Sequence, residues 1–175
     1  MKKLFFISAI ALISSATNAQ SKKQASSGGT TFSLGVEAGI PIGRYPKGFS
    51  NPFSFVLGGS LQLEQHVAPD LGLTLSGGYL SYSVKSAYRA TSGTNSSGII
   101  PLLAGVKYYF SPGVYGHGQL GAAFATAQGG GTSFAYSPGV GFNISPNLDA
   151  ELKYTGISNK AATLGSVGIR LAYNF

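Results

Sequence analysis

The 175-residue chain contains no cysteine, so it has neither a disulfide framework nor thiol chemistry. Charge is scarce too: Asp, Glu, Lys and Arg make up 10% of the residues, and only five of these are acidic. No Walker motif, GxSxG elbow or cluster of metal ligands occurs. Gly116-His117-Gly118-Gln119-Leu120-Gly121 spells GxGxxG, but a dinucleotide site needs a helix directly after it, and none is expected here. Beyond the N-terminal segment no apolar run is long enough to cross a bilayer as a helix, because glycine and serine interrupt every one. Low charge without long apolar runs suits a membrane β-barrel, in which only every second residue must be apolar.

What is present divides the chain in three. Residues 1–19 carry Lys2 and Lys3, an apolar run from Leu4 to Ile13, and small residues up to Ala19, which reads as a cleavable secretory signal. Losing Lys2 and Lys3 takes the formal net charge from +7 to +5. Residues 20–31 form a polar, glycine-rich leader. Residues 32–175 are one domain, rich in Gly, Tyr and Phe.

The last stretch of that domain sets the pattern. Val167, Ile169, Leu171, Tyr173 and Phe175 alternate with Gly168, Arg170, Ala172 and Asn174, the period of two of a strand with one apolar and one polar face. Seven further stretches repeat it: Phe32–Ile42, Phe53–Gln65, Leu71–Tyr82, Gly98–Phe110, Val114–Thr126, Ser133–Ile144 and Leu148–Gly156. The expectation is an all-β, eight-stranded antiparallel up-and-down transmembrane barrel with its apolar parity toward lipid. In the second strand that parity turns Phe53, Phe55 and Leu57 outward and Ser54 inward. A Lys or Arg facing lipid near mid-bilayer costs ~2–4 kcal/mol, so slipping the seventh strand by one residue, which turns Asp149, Glu151 and Lys153 outward, is excluded.

The connections alternate in length. HVAPD, SPGV and SPN are short and turn-forming, while GRYPKGFSNP, SVKSAYRATSGTNSS, AQGGGT and ISNKA are mostly longer. Short periplasmic turns and longer external loops then place both termini in the periplasm. Two aromatic girdles follow. Phe32, Tyr108, Phe110, Phe142, Tyr173 and Phe175 fall at the periplasmic end, and Phe53, Phe55, Tyr79, Phe124, Phe134, Tyr136 and Tyr154 toward the outer end. Pro138, inside the sixth strand, cannot donate to a ladder, so a bulge or a broken ladder is expected there.

The signal peptide, the eight alternating strands and the ending Gly168, Leu171, Tyr173, Phe175 resemble the small OmpX/OmpA-type outer-membrane barrels. More closely, they resemble the porin-like "outer membrane protein beta-barrel domain" family. That resemblance implies a bacterial outer-membrane location, and Gly168, Leu171, Tyr173 and Phe175 as the signal read by the barrel-assembly machinery. It implies no single activity.

Inward parity collects Glu37, Glu64, Asp149 and Glu151 against Lys107, Lys153 and Arg170, with Gln62, Gln119, Tyr115 and His117 among them. An eight-stranded barrel is just wide enough for side chains to fill, so these read as a paired polar core rather than a pore or a catalytic pair. His117 has no adjacent serine to serve a hydrolytic site, and His66 falls in the turn HVAPD. The basic residues Arg44, Lys47, Lys85, Arg89 and Lys160 lie in or beside the external loops, where no acidic residue occurs. Phosphates of lipopolysaccharide are the expected partner of these cations; Tyr45, Phe49 and Tyr88 among them would equally suit adhesion. The reading is a non-enzymatic, monomeric barrel with a structural or surface-interaction role, no cofactor and no nucleic-acid partner. A narrow solute pore, a lipid-modifying enzyme and a secretion-system accessory barrel are the alternatives.

Overall fold

Strands form wherever the period of two occurs. In order they are β1 (Thr30–Pro41), β2 (Phe53–Ala68), β3 (Leu71–Val84), β4 (Ser96–Ser111), β5 (Val114–Ala125), β6 (Thr132–Ser145), β7 (Leu148–Ser158) and β8 (Thr163–Asn174). This computed structural model describes residues 29–42, 51–127, 129–158 and 163–175; the expected signal peptide and all but the end of the leader lie outside them. Each strand pairs antiparallel with its sequence neighbour, and β1 pairs with β8 from Ser33↔Asn174 to Pro41↔Ser166, closing the barrel. Two-residue turns join β2 to β3, β4 to β5 and β6 to β7 at the end where β1 begins and β8 ends, here called the turn end. Gly113 takes φ 84° in one of them, a conformation open to glycine at little cost. The other end is the loop end.

The barrel is inside out relative to a soluble domain. Thirty-two large hydrophobic side chains are exposed on the described residues, against twelve buried hydrophobic residues. The outer wall reads Leu34, Val36 on β1, Leu152 on β7, and Ile169, Leu171 on β8, while their neighbours Asp149, Glu151 and Arg170 are at most 2% exposed. Three tyrosines lie across glycines of the next strand: a Cβ at Gly98, Gly156 or Gly165 would strike the ring of Tyr79, Tyr136 or Tyr154 respectively. These glycines let the loop-end aromatics lie along the wall.

Three local features depart from plain alternation. A register shift between Phe53 and Phe55 overturns the expected facing of the first residues of β2. Ser54 is exposed, whereas Phe53 turns inward and meets the buried Tyr82 ring edge-on at 5.5 Å. Around Pro138 the β6–β7 ladder lapses between Tyr136↔Gly156 and Gly139↔Lys153 with the register unchanged, so the missing N–H breaks the ladder without a bulge. Pro101 does the same between β4 and β3, where pairing stops at Gly77↔Leu102 and resumes at Leu80↔Ile99. The β3–β4 connection, read as loop, contains a short helix, α1 (Ser86–Ser92), ended by Gly93 at φ 65°.

Candidate functional site

The interior is built in layers along the axis, beginning at the turn end. There Lys107 Nζ sits 3.0 Å from Glu64 Oε2 and 3.7 Å from Asp149 Oδ2, and 4.2 Å above the centre of the Tyr115 ring. Tyr109 Oη donates to Glu64 Oε1 at 2.7 Å, and Tyr115 Oη donates to Asp149 Oδ2. His66 is not a turn residue, because β2 runs past it. Its ring stacks on Tyr109 at 5.7 Å and its Nε2 lies 3.5 Å from Glu64 Oε1. Three strands, β2, β5 and β7, thus converge on one cation from β4, which offsets the cost of removing it from water.

Arg170 holds the next layer. Its Nε donates to Ser60 Oγ and its Nη2 to Ser33 Oγ, both at 2.9 Å. Its Nη1 is 3.6 Å from Asp149 Oδ1 and its Nε 4.0 Å from Glu37 Oε1. Room for the guanidinium comes from Gly35, where a Cβ would stand 2.8 Å from Nε. Alongside, His117 bridges Glu151 Oε1 through Nδ1 and Thr74 Oγ1 through Nε2, each at 2.9 Å. Hydroxyl, imidazole and carboxylate stand in the order of a hydrolytic triad. The His117 side chain is fully buried, however, so a lipid substrate cannot reach it. Gln119 Nε2 donates to Ser76 Oγ at 2.8 Å, and Gln62 is buried on the same parity.

One layer further, Lys153 Nζ pairs with Glu37 Oε2 at 3.2 Å. Six of the seven charged residues expected inside therefore stand in Lys or Arg ion pairs, Glu37, Glu64, Lys107, Asp149, Lys153 and Arg170, while Glu151 is held by its hydrogen bond with His117. Towards the loop end the polar layer stops. Val56, Leu80, Tyr82, Ile99, Leu103, Ala123, Ala135 and Ile157 form a buried apolar cluster, with Phe53 and Leu164 packed on it. This plug was not anticipated, although parity carries it. The strand positions facing inward beyond Ser60, Ser76 and Thr155 are Val56, Leu80 and Ile157.

Of the basic residues assigned to the loop end, Lys85 and Arg89 are exposed before and on α1, and Arg89 Nε donates to the Val84 carbonyl at 3.0 Å. Arg44, Lys47 and Lys160 lie outside the described residues. At the C-terminus Leu171, Tyr173 and Phe175 stand on the outer wall. Gly168 instead faces inward, opposite Gly39.

A family described as "Putative MetA-pathway of phenol degradation" matches residues 7–175. No curated protein sequence matches the chain. Among solved structures, the crystal structure of Ail, the attachment invasion locus protein of Yersinia pestis, aligns with a TM-score of 0.60 at 18% identity, covering 86% of this chain and 100% of Ail. The same protein in complex with the heparin analogue sucrose octasulfate gives 0.60 at 18% identity, with 83% and 99% covered. A de novo designed transmembrane β-barrel gives 0.51 at 19% identity, with 87% and 100% covered. The likeness is one of fold: a closed, eight-stranded transmembrane barrel.

Proposed function

The chain belongs to the family described as "Putative MetA-pathway of phenol degradation", and from that premise we propose that it is an integral protein of the bacterial outer membrane, non-enzymatic and closed to solutes, with a structural or surface-interaction role. The observation that carries this reading is the division between wall and interior. An exposed belt of Leu, Val, Ile and aromatics surrounds a barrel whose inward Lys and Arg residues all meet carboxylates, and a cluster of buried apolar side chains lies across it toward the loop end. Both termini face the periplasm, since short turns mark that side of such barrels. Assembly uses the outward Leu171, Tyr173 and Phe175, together with Gly168, as the signal for the barrel-assembly machinery.

The loop end then faces outward. With four acids turned inward and Asp70 in a turn at the opposite end, the external segments carry Arg44, Lys47, Lys85, Arg89 and Lys160 with no carboxylate among them. Such a one-signed rim attracts polyanions, and lipopolysaccharide phosphates are the partner proposed, contacted by a barrel that acts as a monomer. The Ail structure with a heparin analogue is a case of the same fold meeting a polysulfated ligand. Replacing Arg44, Lys47, Lys85 and Arg89 by Ser should lower the lipopolysaccharide that co-purifies; undiminished co-purification would refute the contact.

The family description alone favours a second reading, a narrow path for small aromatic solutes. Planar-bilayer recording separates the two. The closed barrel gives no steps above the lipid baseline, while a pore gives steps that the substitution Tyr82→Ala enlarges.

A further inference from the structure

Three buried polar atoms in the interior have no hydrogen-bond partner among the described residues: Asp149 Oδ1, Glu151 Oε2 and Arg170 Nη1. The residues that carry them are neighbours. Glu151 and Arg170 face each other across the β7–β8 ladder, Asp149 is one inward position away, and Arg170 Nη1 stands 3.6 Å from Asp149 Oδ1, beyond direct hydrogen-bond reach. The donors nearby are committed elsewhere. Tyr115 Oη donates to Asp149 Oδ2, which Lys107 Nζ also faces, while His117 Nδ1 serves Glu151 Oε1. Leaving three charged groups short of partners in a low-dielectric interior is costly.

Whatever joins them must donate to two carboxylate oxygens and accept from one guanidinium N–H. Two carboxylates repel an anion, a metal ion has no proton to donate, and an ammonium has no lone pair to accept with. The species is therefore neutral, small, a double donor and an acceptor.

A second feature lies one layer toward the loop end. A cavity of about 20 Å³ is bordered by Glu37, Lys153, Thr155 and Ser166, with Val56 and Leu80 at its apolar edge. Gly39 and Gly168, paired across the β1–β8 seam, also line it. Its hydroxyls are loosely engaged: Thr155 with Ser137 and Ser166 with Tyr82, each at 3.4 Å. A space of ~10–15 Å³ or more with two to four polar partners holds one water molecule.

We propose that the interior binds water at two fixed positions: one molecule bridging Asp149 Oδ1, Glu151 Oε2 and Arg170 Nη1, and one in the cavity between Glu37, Lys153, Thr155 and Ser166. The first completes the hydrogen bonding of the Arg170 layer, as a third partner for a guanidinium that Ser33 and Ser60 already hold. The second ends the wet half of the barrel, because Val56, Leu80 and the other aliphatic side chains of the plug offer water no partner. Gly168 is in this account a spacer for the cavity, whatever part it has in assembly.

The test uses the full barrel in phospholipid nanodiscs and water-selective nuclear Overhauser spectroscopy. Cross-peaks to water are expected at the Arg170 guanidinium and the Thr155 amide, and none at the amides of Leu80, Ile99 and Leu103. Thr155→Val should remove the cross-peak at residue 155 and leave that of Arg170 in place. Either position falls if its own cross-peak is missing. Both fall if water contacts the plug amides equally. A crystal structure resolving waters gives the same decision independently: density at both positions supports the proposal, and a direct Arg170–Asp149 contact with an empty cavity overturns it.

Discussion

Replacing Arg170 by Met removes the one cation among the described residues that touches two carboxylates of different layers. In the native barrel Arg170 stands 3.6 Å from Asp149 and 4.0 Å from Glu37, and donates to Ser33 and Ser60. The interior carries four carboxylates against Lys107, Lys153 and Arg170; without Arg170 two lysines remain for the four. Removing one partner of a buried ion pair costs ~3–5 kcal/mol, because the other charge stays buried without compensation. At ~1.4 kcal/mol per decade this is a shift of roughly two to three and a half decades in the folding equilibrium. The chain has no tryptophan, so urea titration of barrel folded in lipid vesicles is best followed by far-ultraviolet circular dichroism and by gel mobility without boiling. The double variant Arg170→Met with Asp149→Asn should recover part of the loss, since it removes the carboxylate that Arg170 faces most closely. A single variant within ~1 kcal/mol of the parent, the size of an exposed pair, would refute the claim that this layer is desolvated.

Other outcomes follow from the same geometry. Ile169→Lys puts a cation on the lipid wall and should cost ~2–4 kcal/mol by the same titration if it lies near mid-bilayer, whereas Lys85→Ser at the loop end should stay within ~0.5 kcal/mol. Leu80→Ala, in the buried plug, should cost ~2–5 kcal/mol, read as an earlier urea midpoint. Gly156→Val must push the Tyr136 ring off the wall, because even a Cβ there would strike it. Its barrel should unfold at lower urea, and pairing it with Tyr136→Ala should restore part of the loss.

Most of the barrel is legible in the sequence because each strand turns one face to lipid and the other to a polar interior, which leaves a period of two. Asp149, Glu151 and Lys153 fix the register of β7, and Arg170 fixes that of β8, each by the cost of turning a charge toward lipid. Legibility fades where a single local event decides the facing. The shift between Phe53 and Phe55 moves one aromatic from girdle to plug, and nothing in the letters FSF marks it. The plug hides for a different reason. Leu80, Ile99 and Leu103 sit beside outward Tyr79, Ile100 and Leu102, so both faces are apolar there and alternation is lost to the eye though it persists in space. Partners across the interior, such as Thr74 with His117 and Tyr109 with Glu64, lie more than forty residues apart. They depend on barrel closure rather than on any local pattern.

The central claim is that hydrocarbon surrounds the wall and that the charged residues are inside. Because the chain has no cysteine, single cysteines can carry nitroxide labels without background. Labels at Leu34, Leu152 and Ile169 in vesicle-embedded protein should collide readily with dissolved oxygen and hardly at all with a water-soluble nickel chelate, as groups in lipid do. The same three positions relaxing with the nickel chelate instead would mean that water bathes the wall, and the membrane assignment would be wrong.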